Sequence, residues 1–181
     1  ECKKIIRPLN YPPHLPGRGF CEIELPSGKK ILITQLLGRV FMEAVDSPVQ
    51  AIDTLLKNYT LGKNIAAIFV DIHGEATSEK LALGHYLDGR VSAVAGTHTH
   101  VPTADATIRD GGTAYITDVG MCGNYNSVLG FEKEAPISRI TQKYDGARLV
   151  PCTGGGSFCG IYVETDDKTG LATHIERIEI L

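Results

Sequence analysis

Three histidines stand where predicted buried strands end, and their side chains could bind metal ions. His73 follows the apolar run 65–72, and His98 and His100 follow a short apolar strand at 91–95. Neutral imidazole nitrogens bind borderline metals well, and two of them on one short segment can reach adjacent ions. Residues i and i+2 of an extended segment point the same way, so we expect His98 and His100 to face one site.

Each of these motifs is ambiguous by itself. An H-x-H pair can simply line a polar strand end, and a single histidine such as His73 is often only a hydrogen-bonded strand-end residue. The two apolar strands are joined by one predicted helix at 77–87, which makes them a right-handed parallel unit with both carboxyl ends at one edge of a sheet. The joint pattern therefore favours a shared metal centre. The other histidines are predicted to take no part: His14, His85 and His174.

The remaining elements are predicted from alternation, helical spacing and turn residues. Hairpins are expected at both ends, and strands alternate with helices between them, so the fold class is α/β with a mixed sheet and helices outside it. No repeat or linker divides the chain, which we treat as one domain spanning 1–181. The further predicted strands are 21–25, one beginning at 31, 113–117, 160–165 and 173–181. The predicted helices run from Ser47-Pro48 to Tyr59, from a cap at Thr77-Ser78-Glu79 to 87, and from 137 to 144.

Composition excludes several classes of function. Of the 181 residues, 43% are hydrophobic and 22% charged, which is typical of a globular domain. The net charge of −3 and the lack of a dense Lys/Arg run argue against bulk binding of duplex nucleic acid. No apolar run approaches the ~20 residues that cross a membrane. Five scattered cysteines without a C-x-x-C pair indicate reduced thiols and a cytoplasmic location.

Three segments resemble one family. The runs 71–80 (DIHGEATSEK), 96–101 (GTHTHV) and 114–121 (AYITDVGM) are similar to calcineurin-like metallophosphoesterases of the YmdB type, the 2′,3′-cyclic-nucleotide 2′-phosphodiesterases. The resemblance covers essentially the whole chain, with Gly74 where an Ala is more familiar. It implies a β-sandwich flanked by helices in αββα layers, here lacking its N-terminal βα units.

The resemblance also implies the site. It makes His73 and His98 ligands of one metal ion and His100 a ligand of a second, with iron or manganese expected and zinc as the alternative. The family's early Asp, bridging Glu and Gly-Asn-His motif, which carries the general-acid His, are expected upstream of Glu1, so no catalytic residue is assigned within this chain. We expect a partial domain of a phosphodiesterase that uses a two-metal-activated hydroxide on small phosphodiesters such as 2′,3′-cyclic nucleotides. The 181-residue chain alone is expected to be inactive.

Two acidic residues are candidates to support the ligands. Asp71 is expected to orient its neighbourhood, to hydrogen-bond a ligand imidazole or to cap buried backbone, and Asp118 to line the crevice or cap a turn. Glu75 is a candidate helix cap, and the loop 120–130 a candidate border of the substrate pocket. A non-catalytic metal-binding or regulatory module and a mononuclear zinc hydrolase stay open as alternatives, as does a homo-oligomer.

Overall fold

The computed structural model describes residues 5–141 and 146–180, which form a mixed α/β fold. The elements in chain order are β1 (Phe20–Glu24), β2 (Lys30–Leu37), α1 (Pro48–Leu56), β3 (Ala67–His73), α2 (Thr77–Tyr86), β4 (Ala93–Thr97), β5 (Thr107–Ile108), β6 (Ala114–Ile116), α3 (Glu134–Ile140), β7 (Phe158–Thr165) and β8 (Ala172–Ile180). Within these described ranges, no helix is long and apolar enough to cross a membrane.

The main sheet has six strands in the order β1-β2-β3-β4-β6-β5. Strands β2, β3, β4 and β6 are parallel, while β1 and β5 close the two sides of the sheet as antiparallel edge strands. The predicted parallel unit β3–α2–β4 is thereby confirmed. The carboxyl ends of four strands consequently lie along one edge of the sheet.

One face of the sheet packs against helices. Ile68, Val70 and Ile72 alternate along β3, are fully buried and share a cluster with Ile52 of α1 and Leu83 of α2. This alternation follows from the strand period of two, which sends every second side chain to the same face. The helices therefore cover the apolar face of β3.

The opposite face of β3 meets the C-terminal hairpin. Phe69 and Ile175 of β8 both pack against a small cluster that includes Ala172, so the hairpin β7–β8 forms a second, two-stranded sheet beside the first. Asp71 and His73 follow Phe69 at steps of two, which places them on the hairpin side of the sheet at its carboxyl edge. The predicted hairpins and the mixed sheet are confirmed, and the full αββα arrangement stays a prediction.

The helix starts show one prediction confirmed and one wrong. Ser47 caps α1 as predicted, its hydroxyl accepting a hydrogen bond from the Gln50 N–H at 3.4 Å. The predicted cap by Thr77-Ser78-Glu79 is wrong, because the cap position of α2 is Ala76 and no side chain caps it. Thr77 is already the first helical residue, so its hydroxyl stands one position too late.

Several strand and helix bounds also differ from the prediction. Strand β4 runs two residues later than 91–95, and β5 was not predicted because two exposed residues carry no readable alternation. The predicted helix at 137–144 corresponds to α3, which covers 134–140; residues 142–145 lie outside the described ranges, as does Leu181 of the predicted last strand.

A glycine inside α2 generates a test of the core packing. A Cβ at Gly84 would overlap the ring of Tyr115, a fully buried residue of β6. Replacing an interior helical glycine with alanine ordinarily stabilises a helix by about 0.5–1 kcal/mol. We expect Gly84→Ala instead to lower the free energy of unfolding by about 1–3 kcal/mol, since overpacking outweighs the backbone gain.

Urea unfolding measures this change, with Gly155→Ala as the matched control. Open space surrounds a Cβ at Gly155, so that variant should stay within about 0.5 kcal/mol of the wild type. A stabilised Gly84→Ala protein would contradict the packing described for α2 and β6.

Candidate functional site

The structure brings His73 and His98 together. His73 ends β3, His98 directly follows the neighbouring strand β4, and their rings lie 4.9 Å apart at 85°. His73 Nε2 and His98 Nδ1 approach to 3.1 Å. Two ring nitrogens from adjacent strands thus face each other at the carboxyl edge of the sheet.

A chain of hydrogen bonds orients the His73 ring. His73 Nδ1 lies 3.0 Å from Thr97 Oγ1, and the Thr97 hydroxyl donates to Asp71 Oδ1 at 2.8 Å. The Gln35 amide donates to the other Asp71 oxygen at 2.5 Å. Asp71 therefore reaches the imidazole through Thr97 rather than by the predicted direct hydrogen bond.

Glu75 orients the His98 ring by a direct contact. Its Oε2 lies 3.0 Å from His98 Nε2, so the carboxylate contacts the ring nitrogen that points away from His73. The expectation that Glu75 caps α2 is not what the structure shows. Only its place two residues after His73 in the sequence hinted at this contact.

These partners determine which ring nitrogens carry hydrogen. Because the Thr97 hydroxyl donates to Asp71, its oxygen is left to accept from Nδ1–H of His73, and Glu75 accepts from Nε2–H of His98. The facing nitrogens, Nε2 of His73 and Nδ1 of His98, then both present lone pairs. Two lone pairs at 3.1 Å repel each other unless a proton or a metal ion lies between them.

His100 is oriented differently from the other two histidines. It is exposed, and its Nδ1 lies 3.2 Å from the carbonyl oxygen of Leu129, so the loop 120–130 adjoins it. The expected extended segment is wrong, because His98 has φ 118° and His100 has φ 65°. Left-handed backbone at a non-glycine residue costs about 1–3 kcal/mol and persists only where surrounding contacts enforce it.

Asp118 contacts the backbone of this segment rather than any histidine. Its side chain is fully buried, and Oδ2 accepts from the Thr99 N–H at 3.0 Å and from Lys80 Nζ at 3.1 Å. Its Oδ1 accepts from the Gly120 N–H at 2.9 Å. Of the two predicted roles, capping turns is the one that these contacts describe.

Burial shifts the protonation of the polar pair on β3. Burial raises the pKa of Asp71 above its usual value, against the hydrogen bonds from Gln35 and Thr97. Burial, and secondly positive charge on His98, lower the pKa of His73. A lowered pKa keeps the His73 imidazole neutral to more acidic pH, and the neutral form is the one that binds metals.

The histidine pair is not a complete metal site by itself. In the ranges 5–141 and 146–180, no group of three or more His, Cys, Asp or Glu side chains is arranged to hold an ion. An open cleft of about 570 Å³ lies elsewhere, lined in part by Leu56, Gly62 and Arg90. Because Arg90 precedes β4 whereas His98 follows it, that cleft is at the opposite end of the strand from the histidines.

Fold and site together define an α/β protein with a polar histidine centre at the carboxyl edge of its parallel strands. The chain belongs to the YmdB-like protein family, whose model matches residues 1–178. It is 44% identical over 180 residues to the 2′,3′-cyclic-nucleotide 2′-phosphodiesterase of Bacillus subtilis (strain 168), covering 99% of this chain and 67% of that protein.

Two solved structures are also similar. A hypothetical protein from Thermus thermophilus has a TM-score of 0.86 at 42% identity, covering 97% of this chain and 66% of that one. A novel phosphatase from Mycoplasma pneumoniae has a TM-score of 0.87 at 34% identity, covering 99% and 64%. The chain therefore spans about two thirds of the length of these relatives, of which one is named a phosphodiesterase and one a phosphatase.

The lowered pKa of His73 predicts a pH dependence of stability. The usual value is 6.5, and the folded state holds it lower, so just below pH 6.5 the unfolded chain binds more protons than the folded chain. Stability should therefore rise with pH through this window and be lost as pH falls through 6.5. The slope should be a fraction of the limit of about 1.4 kcal/mol per pH unit, because the half-buried ring is screened.

Urea unfolding of the EDTA-treated chain between pH 5 and 7 measures this slope. His73→Gln should flatten it, while His14→Gln, at an exposed loop position, should leave it unchanged. Equal slopes in the wild type and the His73→Gln protein would contradict the assigned shift.

Proposed function

We propose that this chain carries the histidine part of a metal-dependent phosphodiesterase that hydrolyses small phosphodiesters such as 2′,3′-cyclic nucleotides. The observation that carries the proposal is the facing of His73 Nε2 and His98 Nδ1 at 3.1 Å. The name of the Bacillus subtilis relative supports the substrate class.

The separation of the two nitrogens fits two neighbouring ligands of one ion. Metal–imidazole bonds are about 2.0–2.1 Å long, so ligands roughly 90–110° apart around one ion lie about 2.8–3.4 Å from each other. His73 and His98 would hold one ion in this way. His100 would serve a second ion, and further ligands would complete both.

The chemistry of the donors also fits such ions. Iron or manganese, with zinc as the alternative, accept imidazole together with carboxylate ligands. Two bound ions would neutralise phosphate charge and supply a nucleophile at neutral pH. The chain's own residues prepare for this, since Asp71 acts through Thr97, and Glu75 directly, to hold the two rings with their lone pairs inward.

The proposal includes a location and a partner. The small phosphodiester is the expected partner, and assembly of identical chains is left open. We propose a cytoplasmic setting, because reduced thiols are typical there and the described cysteines are all free. These are Cys21, Cys122, Cys152 and Cys159.

Substitution of the histidines tests the metal site. His73→Ala, His98→Ala and His100→Ala should each lower the bound-metal content of the purified protein and reduce hydrolysis of 2′,3′-cyclic AMP at least about 100-fold, since ligand loss exceeds the 10–100-fold cost of losing a supporting group. Elemental analysis measures the metal content and a product assay measures the hydrolysis, both on protein prepared at the full length of the relatives. His14→Ala is the control and should change neither.

The same measurements separate the alternatives. Two ions per protein favour the proposal, whereas one ion per protein with full activity would indicate a mononuclear zinc hydrolase. Metal retained without hydrolysis across a panel of phosphoesters would indicate a non-catalytic module.

The 181-residue chain alone should show only background turnover of 2′,3′-cyclic AMP. Three neutral imidazoles bring no negative charge to offset two ions and hold them about 3.5–4 Å apart. Turnover above background by this chain, lost in the histidine variants, would contradict that expectation.

A further inference from the structure

We propose that the buried Lys80–Asp118 ion pair is a positioning device that holds the backbone between His98 and His100, and that metal affinity depends on it. The dependence on metal rests on the proposed function of these histidines. The positioning itself can be measured without metal.

The two charged side chains are fully buried. They are 1% and 0% exposed, and Lys80 Nζ lies 3.1 Å from Asp118 Oδ2. Lys80 comes from α2, and Asp118 follows β6, the strand next to β4 in the sheet. Each charge is compensated by the other in surroundings where water cannot do so.

The pair contacts the backbone on both sides of His98. The Oδ2 atom of Asp118 accepts from the N–H of Thr99, the residue between the two histidines, at 3.0 Å. Lys80 Nζ donates to the carbonyl oxygen of Thr97 at 3.4 Å. The segment 97–99 is therefore hydrogen-bonded to a fixed pair of charges immediately before and after His98.

The packing of β4 makes room for the lysine. A Cβ at Gly96 would lie 3.0 Å from Lys80 Cδ and would overlap the carbonyl oxygen of Thr117. Only glycine lets the lysine side chain and the backbone after β6 approach β4 this closely.

The backbone geometry explains why the segment 97–99 needs these hydrogen bonds. His98 and His100 both have positive φ, a region that residues other than glycine leave unless contacts elsewhere enforce it. The charge-assisted bond to the Thr99 N–H lies between these two residues, where it can enforce both. Without the acceptor, the segment would be free to relax and His98 Nδ1 would turn away from His73.

One experiment distinguishes a positioning role of the Lys80–Asp118 pair from a role in stability alone. Replacing a buried ion pair with apolar residues of similar shape is often neutral for stability, whereas removing one partner is costly. Lys80→Met/Asp118→Leu keeps the approximate shapes of both side chains and leaves no unpaired charge, but it removes the acceptor for the N–H groups of Thr99 and Gly120. This double variant therefore separates stability from positioning.

The experiment compares the wild type, both single variants and the double variant, each prepared at the full length of the relatives. Thermal unfolding, hydrogen exchange of the Thr99 amide in the EDTA-treated protein, and calorimetric titration with Mn²⁺ are measured for each. The control is Arg90→Met/Asp53→Leu, which removes a 2.6 Å ion pair at the other end of β4.

We expect the single variants to melt below the wild type and the double variant to recover part of that loss, because it leaves no unpaired charge but still removes the acceptor of the Thr99 and Gly120 N–H groups. In the double variant, the Thr99 amide should exchange about tenfold faster or more, and Mn²⁺ affinity should fall about 10–100-fold. The control should keep wild-type values of both.

Wild-type exchange and wild-type Mn²⁺ affinity in a stable double variant would overturn the proposal, leaving the pair a structural one. Should the leucine be too large, Lys80→Met/Asp118→Ala removes the same acceptor without added volume and has the same two outcomes. If the wild type at that length binds none of Mn²⁺, Fe²⁺ and Zn²⁺, the proposed function is contradicted, and Thr99 exchange alone then decides the positioning role.

Discussion

Parallel pairing of β3 with β4 controls how near the two facing imidazoles can come. In that register His73 is opposite Thr97, so the hydroxyl of Thr97 lies beside the His73 ring and His98 is the next residue beyond. Adjacent strands are about 4.8 Å apart, which is the spacing at which side chains from their ends can share one small ligand. A shift of register by one residue would send His73 to the helix-covered face and separate the pair.

The acidic residues around this pair do not lie between the two facing nitrogens but support the histidines from behind. Asp71 reaches the His73 ring through Thr97, Glu75 contacts the outer nitrogen of His98, and Asp118 holds backbone. Carboxylates placed behind imidazoles hold the rings in one tautomer and raise their basicity towards a metal ion. The three contacts thereby hold the two imidazole rings in fixed orientations. Lys80 offsets the negative charge of Asp118 in the protein interior.

Membership of the YmdB-like family and the geometry of the histidine pair both support the proposal of a metal-dependent phosphodiesterase. The facing nitrogens both present lone pairs at 3.1 Å, and under the proposed function a bound ion would be the shared partner of both. A phosphodiester carries negative charge, and the chain itself has a net charge of −3, so cations at the histidine edge would supply the attraction that the protein surface lacks.

Local sequence patterns determined most of the framework. The continuous apolar run 65–72 predicted β3 as a buried strand, Ser47-Pro48 marked the start of α1, and histidines after two apolar strands predicted a shared edge, because apolar runs and turn chemistry act over a few residues. The alternation of buried side chains along β3 was shown only by the structure. The family resemblance, carried by the runs around His73 and His98, likewise came from the sequence alone.

Only the tertiary structure decided how the site is supported. Three features have no local signal in the sequence: the left-handed backbone at His98 and His100, the burial of Lys80, and the contact of Glu75 with His98. Ordinary residues adopt these states only where contacts with residues distant in the sequence enforce them. The cap of α2 was mispredicted for the same reason: the carboxylate of Glu79 binds the backbone N–H groups of Arg39 and Val40, some forty residues away, instead of its own helix. Contacts between residues far apart in sequence depend on strand register and layer packing, which the chain acquires only when the whole sheet has formed.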